Sequence, residues 1–173
     1  MRFIIDGRYI QDHFPGIGRY VFNLAQALAR IAPHENFRIL YDPVARNTRY
    51  DVDSLALFEN VALVPVTART LSLREQLMGM NRALTAGAAL WHAPFYSKPY
   101  FLTLPSVVTL YDATPLVLPE AMPNAPKRRL YWILNWLAAR TATGIIALSS
   151  AGRTQLASAL GIAPEKISVN FSL

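Results

Sequence analysis

The chain has 173 residues, of which 53% are hydrophobic and 16% charged, so it can form one domain with a sizeable core and is too apolar to be disordered. It contains no cysteine, which excludes disulfides, thiolate catalysis and cysteine-ligated zinc. The net charge of +6 favours anionic partners, namely phosphate groups, an anionic membrane or nucleic acid.

Short apolar runs and helical periodicities alternate along the chain. The predicted strands are 3–6, 37–42, 60–66, 88–92, 106–111, 144–148 and 167–169, and the predicted helices are 17–32, 71–86, 126–141 and 150–160. Continuous apolar runs are typical of buried parallel strands, and strands separated by helices indicate βαβ units. The sequence therefore predicts an α/β fold with a mostly parallel sheet, with Gly161 as the cap of the last helix and ordered loops in the proline-rich segment 93–126.

A glycine-rich segment, PGIGRY at 15–20, lies between the first strand and the first helix. We predict a loop that opens the helix and offers its N–H groups to an anion, at the edge where open α/β sheets bind ligands. The segment differs from the dinucleotide fingerprint because Val21 stands where the third glycine would be. Asp42, after the second strand, could still bind a ribose, so a nicotinamide enzyme stays an alternative, as does a plain loop with a helix cap.

Polar residues follow several of the predicted strands, and the carboxyl ends of parallel strands meet at one edge of a sheet. They are Asp6, Arg8, Asp42, His92, Tyr111, Asp112, Ser149 and Ser150. Some have simpler interpretations: Ser149 or Ser150 as a helix cap, Asp42 in a turn and His92 in the core. The histidines show no metal-binding spacing, and no P-loop, nucleophile elbow or nucleic-acid platform is present.

Together these segments resemble the group 1 (family 4) glycosyltransferases. The D-G-R at 6–8 and the G-I-G-R-Y at 16–20 resemble the opening of that family. Three later segments resemble further motifs of the family and occur in the same order: W-H-A-P at 91–94, V-V-T-L-Y-D at 107–112 and I-I-A-L-S at 145–149. The likeness extends over nearly the whole chain.

The resemblance implies the GT-B fold, in which two Rossmann-like domains face each other across a cleft. Residues 1–173 would then be the N-terminal, three-layer α/β/α domain that recognises the acceptor, and the nucleotide-sugar domain with its E-x7-E motif would be absent. The whole enzyme would be retaining, would use a nucleotide-sugar without a metal or cofactor, and would make a cell-surface or lipid-linked glycan in polysaccharide biosynthesis. The fragment alone would be inactive. A non-catalytic binding or assembly module on the same fold is the alternative.

The same resemblance implies the site residues. Asp112 and Tyr111 would be catalytic, with tyrosine where the family usually has histidine. The substrate-binding residues would be Gly16, Ile17, Gly18, Arg19, Tyr20, Arg8, His92 and Ser149, with no metal ligand and no nucleic-acid partner.

The basic triplet Lys127, Arg128 and Arg129 begins a helix that contains Trp132 and Trp136. Cations in a first helical turn oppose the helix dipole, and tryptophan beside them suits a membrane interface. We therefore expect weak contact with an anionic membrane, with simple burial of the helix as the alternative. The N-terminal residues lack the apolar core of a secretion signal, and no apolar run reaches the roughly 18 residues of a membrane helix. We therefore expect a cytoplasmic protein, peripheral at the inner membrane face if it binds lipid.

Overall fold

A computed structural model describes residues 1–111 and 113–170. Within these residues, seven strands form one sheet in the order β3-β2-β1-β4-β5-β6-β7, and every neighbouring pair is parallel. The strands are β1 (Arg2–Asp6), β2 (Asn36–Tyr41), β3 (Val61–Pro65), β4 (Leu90–Ala93), β5 (Ser106–Leu110), β6 (Gly144–Ala147) and β7 (Ile167–Val169). This confirms the predicted α/β class, and the architecture is Rossmann-like.

Helices cover both faces of the sheet. They are α1 (Pro15–Ile31), α2 (Leu73–Met78), α3 (Arg82–Thr85), α4 (Thr114–Val117), α5 (Ala125–Thr141) and α6 (Ser150–Leu160), with short 3₁₀ turns at Val52–Leu57, Pro119–Ala121 and Pro164–Lys166. Because successive strand residues point to opposite faces, Ile4 and Ile5 belong to two different cores. Ile5 packs in the core that includes α1, and Ile4 packs in the core that includes α5 and α6. No helix within 1–111 and 113–170 has the length and hydropathy needed to cross a bilayer.

The predicted helix 71–86 is wrong, because the chain forms two short helices there. Gly79 ends α2, and the Asn81 side chain begins α3 by accepting a hydrogen bond from the Ala83 N–H. A Cβ at Gly79 would lie 2.8 Å from the Leu102 side chain and 3.0 Å from Pro99. The loop that contains these two residues therefore packs directly against Gly79. The leucines of this segment are correspondingly divided: Leu84 is buried, whereas Leu73 and Leu77 are mostly exposed.

Other predicted features agree with the structure. Gly161 ends α6 in the left-handed conformation with φ of 61°, as expected of a C-terminal cap. The proline-rich segment 93–126 contains β5, α4 and the turn Pro119–Ala121, joined by loops. β7 closes the sheet beside β6 at the predicted residues.

One lysine is fully buried in this fold. Lys98 has no exposed surface, and its Nζ donates a hydrogen bond to the Ser106 Oγ at 3.1 Å. Burial, together with the charge of Lys166, lowers the pKa of Lys98 to about 8. The ammonium form is therefore penalised in the folded state.

We expect Lys98→Met to increase the free energy of unfolding by about 2 kcal/mol at pH 7. The folded pKa of about 8 lies below the ordinary 10.5, so the penalty is complete below pH 8 and disappears as the pH rises through 10.5. Urea unfolding at pH 7 and at about pH 10 measures this, with Lys127→Met as the exposed control. A variant that is less stable than wild type at both pH values would contradict the prediction.

Candidate functional site

The glycine-rich segment 15–20 is helical, which corrects the prediction of a loop. α1 begins at Pro15, whose fixed φ and missing N–H suit a first helical position. The preceding residue, Phe14, provides no side-chain cap, and the first turn contains no acidic residue. Gly16 and Gly18 both have ordinary negative φ. The N-terminal pole of α1 therefore stands at the carboxyl edge of the sheet with no acidic side chain in its own first turn.

The two glycines of this turn have different surroundings. Gly18 is buried, and a Cβ there would lie 2.9 Å from the Tyr9 carbonyl oxygen, which is closer than such contacts allow. Gly16 is exposed, and a Cβ there would meet nothing within 4 Å. Gly18 is thus needed for the close approach of α1 to the loop after β1, whereas the backbone does not require glycine at position 16.

Arg8 lies in a buried ion cluster. Its Nε donates to the Asp6 Oδ1 at 2.8 Å, and its Nη2 lies 2.6 Å from both the Asp6 Oδ2 and the Glu75 Oε1. Its Nη1 donates to the Ala68 carbonyl at 2.7 Å. Burial alone would lower the pKa of Arg8, but the two carboxylates outweigh it and hold the pKa above its ordinary value. The guanidinium thus ties the segment after β3 to the end of β1, and its role in substrate binding stays a prediction.

A chain of polar side chains joins α1 to β4 and β5. The Thr109 Oγ1 lies 3.1 Å from the Tyr20 hydroxyl and 2.9 Å from the His92 Nε2. The threonine hydroxyl has one proton, so if Tyr20 donates to Thr109 and Thr109 donates to Nε2, the His92 Nδ1 carries the imidazole proton. The Tyr20 ring also lies edge-on to His92 and to Tyr111, with centroids 6.2 and 6.0 Å apart.

Two polar atoms of this cluster are buried without a hydrogen-bond partner among the described residues: the His92 Nδ1 and the Tyr111 hydroxyl. Buried polar atoms in native proteins are almost always paired, with protein, water or ligand. A water molecule or a polar ligand group that reached these two atoms would complete their hydrogen bonding.

The cluster is electrically neutral. Burial lowers the pKa of His92 to about 4, with only partial opposition from Asp6. Burial, and then the neighbouring Tyr20, raise the pKa of Tyr111 well above its ordinary value. At neutral pH the site therefore presents an uncharged imidazole and an uncharged phenol, which can exchange hydrogen bonds with hydroxyl groups but carry no charge.

Aromatic rings extend the site on one side. The Phe95 ring lies 6.4 Å from Tyr111 and 6.2 Å from Phe14, the residue before α1. Tyr9 packs edge-on against both phenylalanines. A largely apolar groove of about 350 Å³ lies between α1 and the sheet, and both His92 and Glu35 are among its lining residues.

The remaining predicted residues are placed around this cluster. Ser149 caps α6 by accepting a hydrogen bond from the Gly152 N–H at 3.0 Å, as its simpler interpretation predicted. Asp42 accepts a hydrogen bond from the Val44 N–H at 3.1 Å, as expected of a turn residue. Arg19 is exposed and Ile17 half-buried, both on the first turns of α1. Asp112 lies outside the described residues.

Sequence reasoning missed Thr109 and Glu75. Thr109 stands inside an apolar strand, where a threonine gives no sign that its hydroxyl bridges two other elements. Glu75 had a signal, because it is the one acidic residue between positions 60 and 111 of the sequence. Within 1–111 and 113–170, no three side chains of the metal-binding types lie close enough to hold a metal ion.

We expect Gly18→Ala to lower the free energy of unfolding by about 2 kcal/mol, because the new methyl group would press on the Tyr9 backbone. Gly16→Ala is the matched control, and it should raise stability by up to about 1 kcal/mol through helix propensity. Urea unfolding of both variants measures the difference. Equal stability of the two variants would show that α1 does not pack as closely as described.

The buried His92 should make the protein less stable in acid. Its folded pKa of about 4 lies below the ordinary 6.5, so the unfolded chain binds the extra proton and stability falls as the pH decreases through this window. Between pH 7 and about pH 4.5 the free energy of unfolding should fall by about 2 kcal/mol because of His92. The substitution His92→Gln should abolish this contribution to the pH dependence. Exposed His34→Gln is the control. An unchanged pH dependence in His92→Gln would mean that His92 protonates in the folded protein.

Residues 15–170 match the family model described as Glycosyltransferase Family 4, from the first residue of α1 to the residue after β7. No curated protein matches the chain. The matched range includes α1, the Tyr20–Thr109–His92 connection and Tyr111. The polar cluster therefore lies within the part of the chain that matches the family. The chain is a member of glycosyltransferase family 4.

Proposed function

We propose that this chain is the N-terminal, acceptor-recognising domain of a retaining, nucleotide-sugar-dependent GT-B glycosyltransferase that makes a cell-surface or lipid-linked glycan in the cytoplasm. The observation that carries the proposal is the pair of buried, unpartnered polar atoms, the His92 Nδ1 and the Tyr111 hydroxyl, within a family 4 domain. Sugars provide hydroxyl groups that both donate and accept hydrogen bonds, which suits two neutral groups of this kind.

The start of α1 suits the anionic part of a nucleotide-sugar. A helix N-terminus with no side-chain cap and no acid in its first turn favours a phosphate group. Gly16, exposed at this turn, would let a ligand approach the backbone closely. The aromatic rings of Phe14 and Phe95 offer flat apolar surface next to it. We expect no metal or cofactor to take part.

Tyr111 would act as a hydrogen-bond donor and not as a base. Burial raises the pKa of its phenol, so the proton stays on the oxygen at neutral pH. The phenol could therefore hold a sugar oxygen in place, while deprotonation of the acceptor needs another group. Asp112, the next residue in the sequence, is our candidate for a charged partner of the substrate.

We also propose that a second domain binds the nucleotide-sugar. The chain contains no E-x7-E motif of the kind that the resemblance assigns to that domain. Transfer would therefore require both domains, and residues 1–173 alone should fold cooperatively without turning over any nucleotide-sugar.

The test uses the protein made from its complete reading frame, assayed for sugar transfer with a panel of nucleotide-sugars and titrated with NAD. We expect turnover of at least one nucleotide-sugar and no binding of NAD. Tyr111→Phe and Asp112→Asn should each lower kcat/KM by ten-fold or more, about 1.4 kcal/mol on the barrier. Tyr41→Phe, half-buried at the end of β2, is the control and should leave kcat/KM unchanged.

Other outcomes would point to the alternatives. Saturable binding of a nucleotide-sugar without turnover would indicate a binding or assembly module. NAD binding without nucleotide-sugar binding would indicate a nicotinamide enzyme. Transfer by residues 1–173 alone would overturn the two-domain proposal.

A further inference from the structure

The hydrogen bonds between Tyr20, Thr109 and His92 join α1 to β5 and β4. Thr109 is fully buried and His92 is 6% exposed, whereas Tyr20 is half-buried. The Thr109 Oγ1 stands between the other two side chains, because it contacts both the Tyr20 hydroxyl and the His92 Nε2. In a neutral imidazole one nitrogen is a donor and the other an acceptor, so the hydrogen bond made by Nε2 decides what Nδ1 offers.

The sheet fixes the position of the Thr109 hydroxyl. In the parallel ladder between β4 and β5, His92 pairs with Val107, and Thr109 itself pairs with Ile146 of β6. Residues two apart on a strand point to the same face, so Thr109 shares the face of Val107 and of His92. The branched Cβ of threonine also restricts its side chain to few rotamers. The register of β4 and β5 therefore holds the hydroxyl beside the imidazole ring.

Three placements of the protons are compatible with these contacts. In the first, Tyr20 donates to Thr109, Thr109 donates to the His92 Nε2, and Nδ1 carries the imidazole proton. In the second, the His92 Nε2–H donates to Thr109, and Thr109 donates to Tyr20. In the third, both Tyr20 and His92 donate to Thr109. His92 presents a donor at Nδ1 in the first placement and an acceptor in the other two.

The first placement leaves the fewest polar groups unpaired. Nδ1 has no partner among the described residues in any of the three. In the second placement the Tyr20 proton needs a further acceptor, and the part of the chain that the structure describes provides none besides Thr109. In the third, the proton of the fully buried Thr109 lacks an acceptor. The first placement thus leaves one group unpaired, whereas each of the others leaves two.

The chemistry of the three groups favours the same placement. A phenol is a better donor than an aliphatic hydroxyl, and an imidazole nitrogen is a better acceptor than a hydroxyl oxygen. In the first placement both hydrogen bonds run in the favourable direction, and bonds in such a chain polarise one another. Asp6, the carboxylate whose charge acts on His92, binds Arg8 through both of its oxygens. It is therefore Thr109, and not Asp6, that orients the proton of His92.

We propose that Thr109 and Tyr20 are positioning residues that hold His92 as the Nδ1–H tautomer, so that the candidate site presents two donors, the His92 Nδ1–H and the Tyr111 O–H. An atom that reaches Nδ1 must then be an acceptor, such as a hydroxyl oxygen, and an ammonium group cannot replace it. A sugar hydroxyl bound there keeps its own proton for another partner. The tautomer is independent of sugar transfer, whereas the contact with a sugar rests on the proposed function.

The test is NMR of residues 1–173 containing isotope-labelled histidine, at about pH 8, where exposed histidines are neutral. Proton–nitrogen correlation spectra distinguish a protonated ring nitrogen from an unprotonated one. We expect a protonated Nδ1 and an unprotonated Nε2 for His92, whose signals are identified by their loss in His92→Gln. The exposed His13 and His34 are internal controls and should give the averaged signals of two exchanging tautomers.

Substitutions test whether the hydroxyl chain sets the tautomer. Thr109→Val keeps the shape of the side chain without the hydroxyl, so the His92 signals should become averaged. Thr109→Ser keeps the hydroxyl and should keep the Nδ1–H tautomer. Tyr20→Phe removes the donor to Thr109 and should increase the fraction of the Nε2–H tautomer. Tyr50→Phe is the matched control, because its hydroxyl binds the Pro15 carbonyl of the same helix, and it should leave the His92 signals unchanged.

The consequence for sugar transfer is measured on the protein made from its complete reading frame. Thr109→Val should lower kcat/KM about five-fold or more for a nucleotide-sugar that the wild type uses, because a hydrogen bond to the substrate is weakened. Thr109→Ser should restore kcat/KM to within about two-fold of wild type. If the wild type turned over no nucleotide-sugar, the proposed function would fail, and the NMR spectra would still decide the tautomer.

Several results would overturn the proposal. A wild-type His92 that is protonated on Nε2 would show that Thr109 accepts and that Nδ1 presents an acceptor. An unchanged Nδ1–H tautomer in both Thr109→Val and Tyr20→Phe would show that other contacts fix the ring. Lower activity of Thr109→Val with an unchanged tautomer would indicate a merely structural role. Circular dichroism checks the fold of each variant, and if Thr109→Val does not fold, the wild-type and Tyr20→Phe spectra still decide.

Discussion

The buried contact of Arg8 with Asp6 and Glu75 is the interaction on which the arrangement of the carboxyl edge depends. It joins the end of β1 to α2 and, through Glu75, to Leu71 and Ser97. Burying three charges carries a large desolvation cost, which is offset only when nearly every donor and acceptor is satisfied. Here the Nε, Nη1 and Nη2 of Arg8 and both oxygens of Glu75 have partners.

Because these buried polar atoms all depend on one another for hydrogen bonds, a substitution of any one of the three residues would leave another without a partner. Removing one carboxylate from a buried ion pair typically costs about 3 to 5 kcal/mol, because a charge is left buried without a partner. The segment after β3 has further anchors: Arg38 binds the Leu84 carbonyl, Gln76 binds the loop at Lys98 and Tyr100, and the Met78 and Leu84 side chains are buried in the core. The ion cluster is therefore one of several contacts that hold this rim of the candidate site in place.

The sheet could be predicted from the sequence because buried parallel strands are continuous apolar runs, and each of the seven was found to within a few residues. The helices were harder to predict where tertiary contacts decide their ends. The run 71–86 has helical periodicity, but Gly79 is pressed against Leu102 and the helix breaks there. The segment 15–20 resembles a glycine-rich loop in sequence. In the structure, however, Pro15 begins a helix, and Gly18 is needed because a side chain there would clash with the Tyr9 carbonyl. Likewise, the topology predicted that His92 and Tyr111 share an edge, whereas the Thr109 link between Tyr20 and His92 depends on side-chain geometry.

The neutral lining of the cluster has a consequence for selectivity. A charged site attracts any ligand of opposite charge, whereas the His92 Nδ1 and the Tyr111 hydroxyl, as parts of the proposed site, would recognise only a group that has a donor or acceptor in the right position. Once a ligand has satisfied them, an analogue that lacks one hydroxyl would leave a buried polar atom unpaired again, at a cost of about 1 to 3 kcal/mol. Such a site would distinguish ligands by the pattern and stereochemistry of their hydroxyl groups, at any pH at which His92 and Tyr111 remain uncharged.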